Sequence, residues 1–178
     1  DDVVSGMREG GLSVTLKTFP GIGNVSADVT ESIAENTDSL MTIRDTNFVP
    51  YASGIQAGAD CVMVSNAAYS KLTVKKVPAF MSQDIVTKLL REELGFDGIV
   101  MTSPLNDNVI ENNYTNEFAV VEAVKAGCDL IVLPGNFKEC YEALITAVEE
   151  GRIDEKVINT SVRRILQNKI QRGILVLE

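Results

Sequence analysis

An apolar run, Leu12, Val14 and Leu16, ends in the cation Lys17, the hydroxyl of Thr18 and the turn Phe19-Pro20-Gly21-Ile22-Gly23-Asn24. That order reads as a buried strand over 12–17 handing over to a loop at its carboxyl end. Parallel α/β folds hold their ligands there, so Lys17 and Thr18 are candidate ligand contacts, and the loop beyond them brings Asp28 and Thr30. The chemistry open to such a set is bounded by an absence. The chain has no histidine, which removes the usual general base, the usual metal ligand and the usual triad member together. Cys61, Cys128 and Cys140 cannot all pair, and their spacing fits no metal pattern, so they read as buried small apolar residues with free thiols. No metal and no cofactor is expected.

The elements that position these residues follow from periodicity. Val3, Val4 and Met7 lie in a short helix closing at Gly10-Gly11. Residues 21–43 are polar and read as a long loop with one short helix at most. Phe48, Tyr51 and Ile55 have helical spacing, and the turn Ala57-Gly58-Ala59-Asp60 releases a second strand, Cys61-Val62-Met63-Val64-Ser65. Its continuous apolar character suits a sheet covered on both faces. Ser82 is placed to cap a helix lined by Ile85, Leu89 and Leu90 and ended by Gly95. Gly98-Ile99-Val100-Met101-Thr102 is a third strand. Asn116 opens another helix, Ala126-Gly127-Cys128-Asp129 ends it, and Leu130-Ile131-Val132-Leu133 is the fourth strand. The two near-identical turns mark repeated βα units. Pro134-Gly135-Asn136 leads into a helix ending at Gly151. Asp154 caps a last one, expected to hold Val157, Ile158, Val162, Ile165, Leu166 and Ile170 inside and to stop at Gly173. The fold class is α/β with parallel βα units, in one domain over 1–178.

The totals exclude several function classes. With 178 residues the chain has about two-thirds the length of an eight-stranded α/β barrel, which typically needs about 250. A net charge of −9 would repel nucleic-acid phosphates, so no nucleic acid is expected as a partner. No apolar run approaches the roughly 20 residues of a membrane helix, and the Asp1-Asp2 start lacks the basic and apolar regions of a signal peptide. The compartment stays unknown; a soluble protein is expected, as a cell-surface or secreted part of a larger bacterial protein.

Lys17-Thr18-Phe19-Pro20-Gly21-Ile22-Gly23-Asn24 resembles the hallmark Lys-His-Phe-Pro-Gly-His-Gly-Asp of glycoside hydrolase family 3. Val49-Pro50-Tyr51, Met63-Val64-Ser65-Asn66, the run from Leu89 to Gly98 and Gly151-Arg152-Ile153-Asp154 are similar to that family in its order, most of all to its β-N-acetylhexosaminidase branch. The resemblance implies the second half of a TIM-type (β/α)8 barrel, about four strands, with the first half absent.

It also implies a retaining hydrolysis, which needs a carboxylate nucleophile and an acid/base on opposite sides of the glycosidic bond. Here the nucleophile's phrase reads Thr102-Ser103-Pro104-Leu105, so Ser103 stands at that position, and a serine hydroxyl has no charge to offer and no histidine to activate it. The acid/base pair Asp-x-His reads Asp28-Val29-Thr30, which keeps the aspartate and loses its partner. Sugar-contacting histidines of the family fall on Thr18, Ile22 and Asn66. The expectation is a degenerate, non-hydrolytic domain serving as scaffold or weak saccharide-binding module, with Lys17, Thr18, Asp28, Asn66 and Ser103 as candidate ligand contacts. The alternatives are an active hydrolase with displaced residues, Asp107 standing in for the nucleophile, and a structural domain with no ligand. Lys17 either binds a sugar hydroxyl or neutralises Asp28, Asn66 binds saccharide or caps its loop, and Asn106 to Asn116 reads as a solvated loop. The inward side chains of Val14, Val62, Met63, Val100 and Ile131, or of their immediate neighbours, lack half a barrel's cover, so the expected partner is the missing amino-terminal half or a second copy of the chain.

Overall fold

The computed structural model describes residues 2–25 and 27–176. A helix α1 (Asp2–Glu9) leads into β1 (Thr15–Phe19), and β2 (Glu35–Asn36), α2 (Leu40–Asp45) and α3 (Phe48–Gln56) follow. Then come β3 (Cys61–Val64), β4 (Ala68–Tyr69), a 3-10 turn (Ala79–Met81), a π-helical segment (Asp84–Glu93) and β5 (Ile99–Thr102). Four helices close the chain: α4 (Asn108–Glu111), α5 (Asn116–Ala126), α6 (Phe137–Glu149) and α7 (Glu155–Gln171). The sheet is parallel in the order β1-β3-β5, and β2 and β4 form a separate parallel pair. This is half of a TIM-type barrel, built from repeated βα units.

Register explains what the sheet covers. Val62, Val64, Val100 and Thr102 point toward the helices and are fully buried, each apolar one contributing about 1.5–3 kcal/mol. The opposite face carries the row Lys17, Met63, Met101, Leu130, paired across the strands, and every member of it keeps some exposure. Of the side chains expected to lack cover, Met63, Ile131 and Val100's neighbour Met101 are half-exposed, whereas Val14, Val62 and Val100 themselves are shielded by helices. Strand β5 begins at Ile99 because Ile99 N bonds the carbonyl of Asp60 (3.0 Å), and a Cβ on Gly98 would stand 2.5 Å from that oxygen.

Four other expectations change. The first strand runs over Thr15–Phe19 rather than 12–17, leaving Leu12 exposed. The loop 21–43 contains β2 and the start of α2. The helix after Ser82 winds with π-type bonds such as Leu94 N to Leu89 O (3.0 Å), and Ser82 Oγ accepts from Ile85 N at 3.4 Å. The fourth strand is reduced to one bridge, Met101 with Leu130, because Val132 N donates to the Thr102 hydroxyl (3.1 Å) and not to a strand carbonyl. Thr115, Asn136 and Asp154 cap α5, α6 and α7 through their side chains.

The largest correction is α7. None of its residues is buried: Val162 is 45% exposed, Leu166 42% and Ile170 38%. Its inward face is polar, because two buried aspartates at the amino ends of the strands draw it down. Asp129 accepts from Arg91 Nη2 (2.6 Å), Val100 N (2.8 Å), Ser161 Oγ (2.8 Å) and Arg164 Nη1 (3.1 Å). Asp60 accepts from Val14 N (2.9 Å), Arg8 Nη1 (3.1 Å), Asn168 Nδ2 (3.3 Å) and Arg172. Ser161, Arg164, Asn168 and Arg172 recur every three to four residues, so one helix face serves both carboxylates; Val157, Val162, Leu166 and Ile170 face outward, while Ile165 is half-buried and Ile158 packs against the core as expected. Among the described residues no helix is long and apolar enough to cross a membrane.

Candidate active site at the carboxyl ends of the strands

Three loops leave the carboxyl ends of β1, β3 and β5 and are tied to one another. Val109 N donates to Thr30 O (2.8 Å), Asn108 Nδ2 to Glu31 Oε2 (2.8 Å), and Asn66 Nδ2 to Asp107 Oδ2 (2.8 Å). Asp28, Thr30, Glu31, Asn66 and Asp107 thus share one mouth. Of the run read as a solvated loop, Asn106, Asn108, Asn112 and Asn113 are exposed, whereas Asp107 is half-buried and precedes α4, whose Val109 and Ile110 are buried.

Each candidate is committed in a particular way. Ser103 is 6% exposed; its Oγ and its backbone N both donate to Val64 O, each at 2.9 Å, so the hydroxyl fastens the end of β3. Asp28 Oδ1 accepts from Thr30 N (2.9 Å) and Thr30 Oγ1 (2.7 Å), and those two bonds hold its carboxyl below the usual range. A group so held is a carboxylate at neutral pH and has no proton to give a leaving group. Asp107 goes the other way. Burial pushes its carboxyl up, the charges of Asp28 and Glu31 push it further, and the Asn66 hydrogen bond only partly opposes them.

Lys17 lies apart from this group. It is exposed on the unpaired side of β1, in a cavity of about 570 Å³ also lined by Thr15, Leu16, Gly21, Asn47 and Tyr51. No ion pair joins it to Asp28 among the described residues; Asp28 is held by the neutral donors of Thr30, and its charge is not offset. Thr18 is half-buried and accepts from Gly21 N (2.8 Å) through its carbonyl. Asp97 lines a cavity at the opposite, amino-terminal end with Arg8 and Asp60, far from these loops.

Residues 1–168 match the family model described as "Glycosyl hydrolase family 3 N terminal domain". The chain belongs to glycoside hydrolase family 3. It is 33% identical over 172 residues to the beta-hexosaminidase of Stenotrophomonas maltophilia strain K279a, covering 97% of this chain and 48% of that protein. A beta-hexosaminidase of Xylella fastidiosa strain M23 is 33% identical over 130 residues, 73% of this chain and 38% of its own. Among solved structures, a family 3 beta-N-acetylglucosaminidase from Paenibacillus sp. str. FPU-7 superposes with a TM-score of 0.93 at 32% identity, over 99% of this chain and 35% of that one. The chain thus spans less than half the length of these relatives.

Sequence reasoning missed Glu31 and the buried role of the two turn aspartates. Glu31 gives no sequence signal, because its importance comes from Asn108, 77 residues away. Asp60 and Asp129 did give one: they end the repeated phrases Ala-Gly-Ala-Asp and Ala-Gly-Cys-Asp, and repetition of a charged residue at a strand entry marks a shared buried partner.

Proposed function

We propose that this family 3 domain does not hydrolyse glycosides and serves as a scaffold and weak saccharide-binding module. The observation that carries this reading is the state of the two catalytic positions. Ser103 spends its hydroxyl on Val64 O, and Asp28 is held as a carboxylate by Thr30. Retaining hydrolysis needs a carboxylate nucleophile and a proton donor, and neither position supplies its role. What the mouth retains is hydrogen-bonding capacity at the place where α/β barrels hold ligands. The test is turnover of an aryl N-acetyl-β-glucosaminide and an aryl β-glucoside, with no release expected. Release that disappears in Asp28→Ala or Asp107→Ala would establish an active enzyme with displaced residues.

We infer further that the open sides are covered by a second half barrel. For the isolated chain this is a second copy closing an eight-stranded ring by two-fold symmetry, the place an amino-terminal half takes in a longer chain. Strand β1 pairs on one side only, α7 turns its apolar stripe outward, and Phe137, Tyr141 and Ile145 of α6 are exposed. Unpaired strand edges and exposed apolar stripes both favour association. Light scattering at micromolar concentration is expected to give a dimer; a monomer that binds no hydrophobic dye would defeat the inference.

A further inference from the structure

The mouth is rich in acceptors and poor in donors. Asp28, Glu31 and Asp107 bring three carboxylates from two loops, and none is in an ion pair among the described residues. Glu31 is held by a neutral amide and Asp28 by Thr30, which leaves one oxygen of each without a partner among the described residues. Beneath them Asn66 is 2% exposed. Its Nδ2 reaches into the cluster to hold Asp107, and its Oδ1 finds no hydrogen-bond donor. A buried acceptor left empty disfavours the unliganded state, and a donor delivered between the loops relieves it.

Spacing narrows what that donor can be. No three carboxylates among the described residues stand close enough to hold one metal ion, so the demand is for a ligand whose donors are spread across several ångströms. A neutral sugar answers with hydroxyls alone, which donate but do not offset charge. We propose that this mouth selects a cationic amino sugar, a pyranoside whose free amine is protonated, over its N-acetylated and neutral counterparts. The ammonium sits against Asp107, and the ring hydroxyls, spread across the mouth, donate to Asp28, Glu31 and Asn66. Burial first, and then the charges of Asp28 and Glu31, make a charged Asp107 costly, and that cost falls once a cation enters. This inference rests on the saccharide-binding reading and names its ligand class.

The experiment is calorimetric titration of the full chain, near neutral pH, with three β-1,4-linked disaccharides: of glucosamine, of N-acetylglucosamine and of glucose. Hydrogen bonds to charged groups support a preference of about tenfold or more for the free amine. That preference is expected to shrink as salt rises, and to be lost in Asp107→Asn and Glu31→Gln. A control in which Glu142→Gln and Glu149→Gln are combined on exposed α6 separates site recognition from the overall negative charge, and should leave the preference intact. Circular dichroism confirms that each variant is folded. Equal affinity for all three sugars, a preference that survives Asp107→Asn, or one that falls equally in the α6 control overturns the proposal. If the N-acetylated sugar binds best, saccharide binding stands and the cationic class is wrong; if none binds, both fall.

Discussion

Asp129 is the residue whose removal the structure prices most clearly. Its carboxylate is fully buried and receives four donors, and the Arg91 guanidinium it pairs with is only 12% exposed. Arg91 has three further bonds, to the carbonyls of Phe96, Gly98 and Gly127 at 3.1–3.2 Å, so it cannot swing out to water without breaking the end of the helix and the entry to β5. Asp129→Ala therefore strands a buried cation as well as the Val100 N–H, a loss of about 3–5 kcal/mol. Against a total stability of about 5–15 kcal/mol, that is a third or more of the whole. Asp129→Asn keeps one acceptor and the volume and should cost about half as much. Replacing both partners, Asp129→Leu with Arg91→Met, strands no charge and should be milder than the sum of the two single changes by about 2 kcal/mol or more. Urea denaturation followed by far-UV circular dichroism measures the parent chain, Asp129→Ala, Asp129→Asn, Asp129→Leu, Arg91→Met and the double variant. A loss below about 1 kcal/mol for Asp129→Ala, or additivity in the double variant, would mean that the cluster does not hold α7 and the π-helical segment to the sheet.

Other perturbations probe the mouth and the core. Ser103→Asp alone should leave the chain inert toward aryl glycosides, because Thr30 still offers no proton; strong activity would show an otherwise intact site. Asp107 has a folded-state carboxyl pushed above the ordinary range, so its contribution to stability is full in acid and lost as pH rises through that raised value. Asp107→Asn should therefore raise the thermal midpoint at neutral pH, with the gain fading toward acid, and an equal shift at every pH would remove titration as the cause. Cys61, Cys128 and Cys140 are free and buried, and burial pushes their thiols up, so thiol reagents should react only on unfolding. Fast labelling of the native chain would contradict that burial.

How far the sequence could be read depends on what kind of partner each residue has. Positions whose role is local were legible: the Asp154 cap, the glycines ending helices, and the strands Cys61–Val64 and Ile99–Thr102 follow from neighbours a few residues away. The family was legible for the same reason, since its phrases are contiguous. Misreadings came where distant groups decide. In α7 the polar set Ser161, Arg164, Asn168, Arg172 and the apolar set Val162, Leu166, Ile170 are equally periodic, and hydropathy alone turns the apolar set inward. Two carboxylates more than 30 residues upstream reverse that choice. A buried aspartate without its arginines costs more than a half-exposed leucine stripe does, so the helix satisfies charge first.

The same ordering connects the fold to the mouth. At the amino ends of the strands each buried carboxylate has its cations within the chain, and the outcome is a clamp. At the carboxyl ends Asp28, Glu31 and Asp107 are gathered with equal care by Thr30, Asn108 and Asn66, all neutral, and the outcome is a site with unspent negative charge. One protein thus contains both solutions to the same electrostatic problem. Charge that the chain leaves unpaired, on loops it has gone to the length of stitching together, is charge a ligand can answer. The comparison also states what separates the two ends experimentally. Losing a carboxylate from the clamp should cost stability, as Asp129→Ala tests, whereas losing one from the mouth should cost only binding while stability holds or rises, as Asp107→Asn tests. If both variants proved equally destabilised, the mouth would be a second clamp and not a binding site.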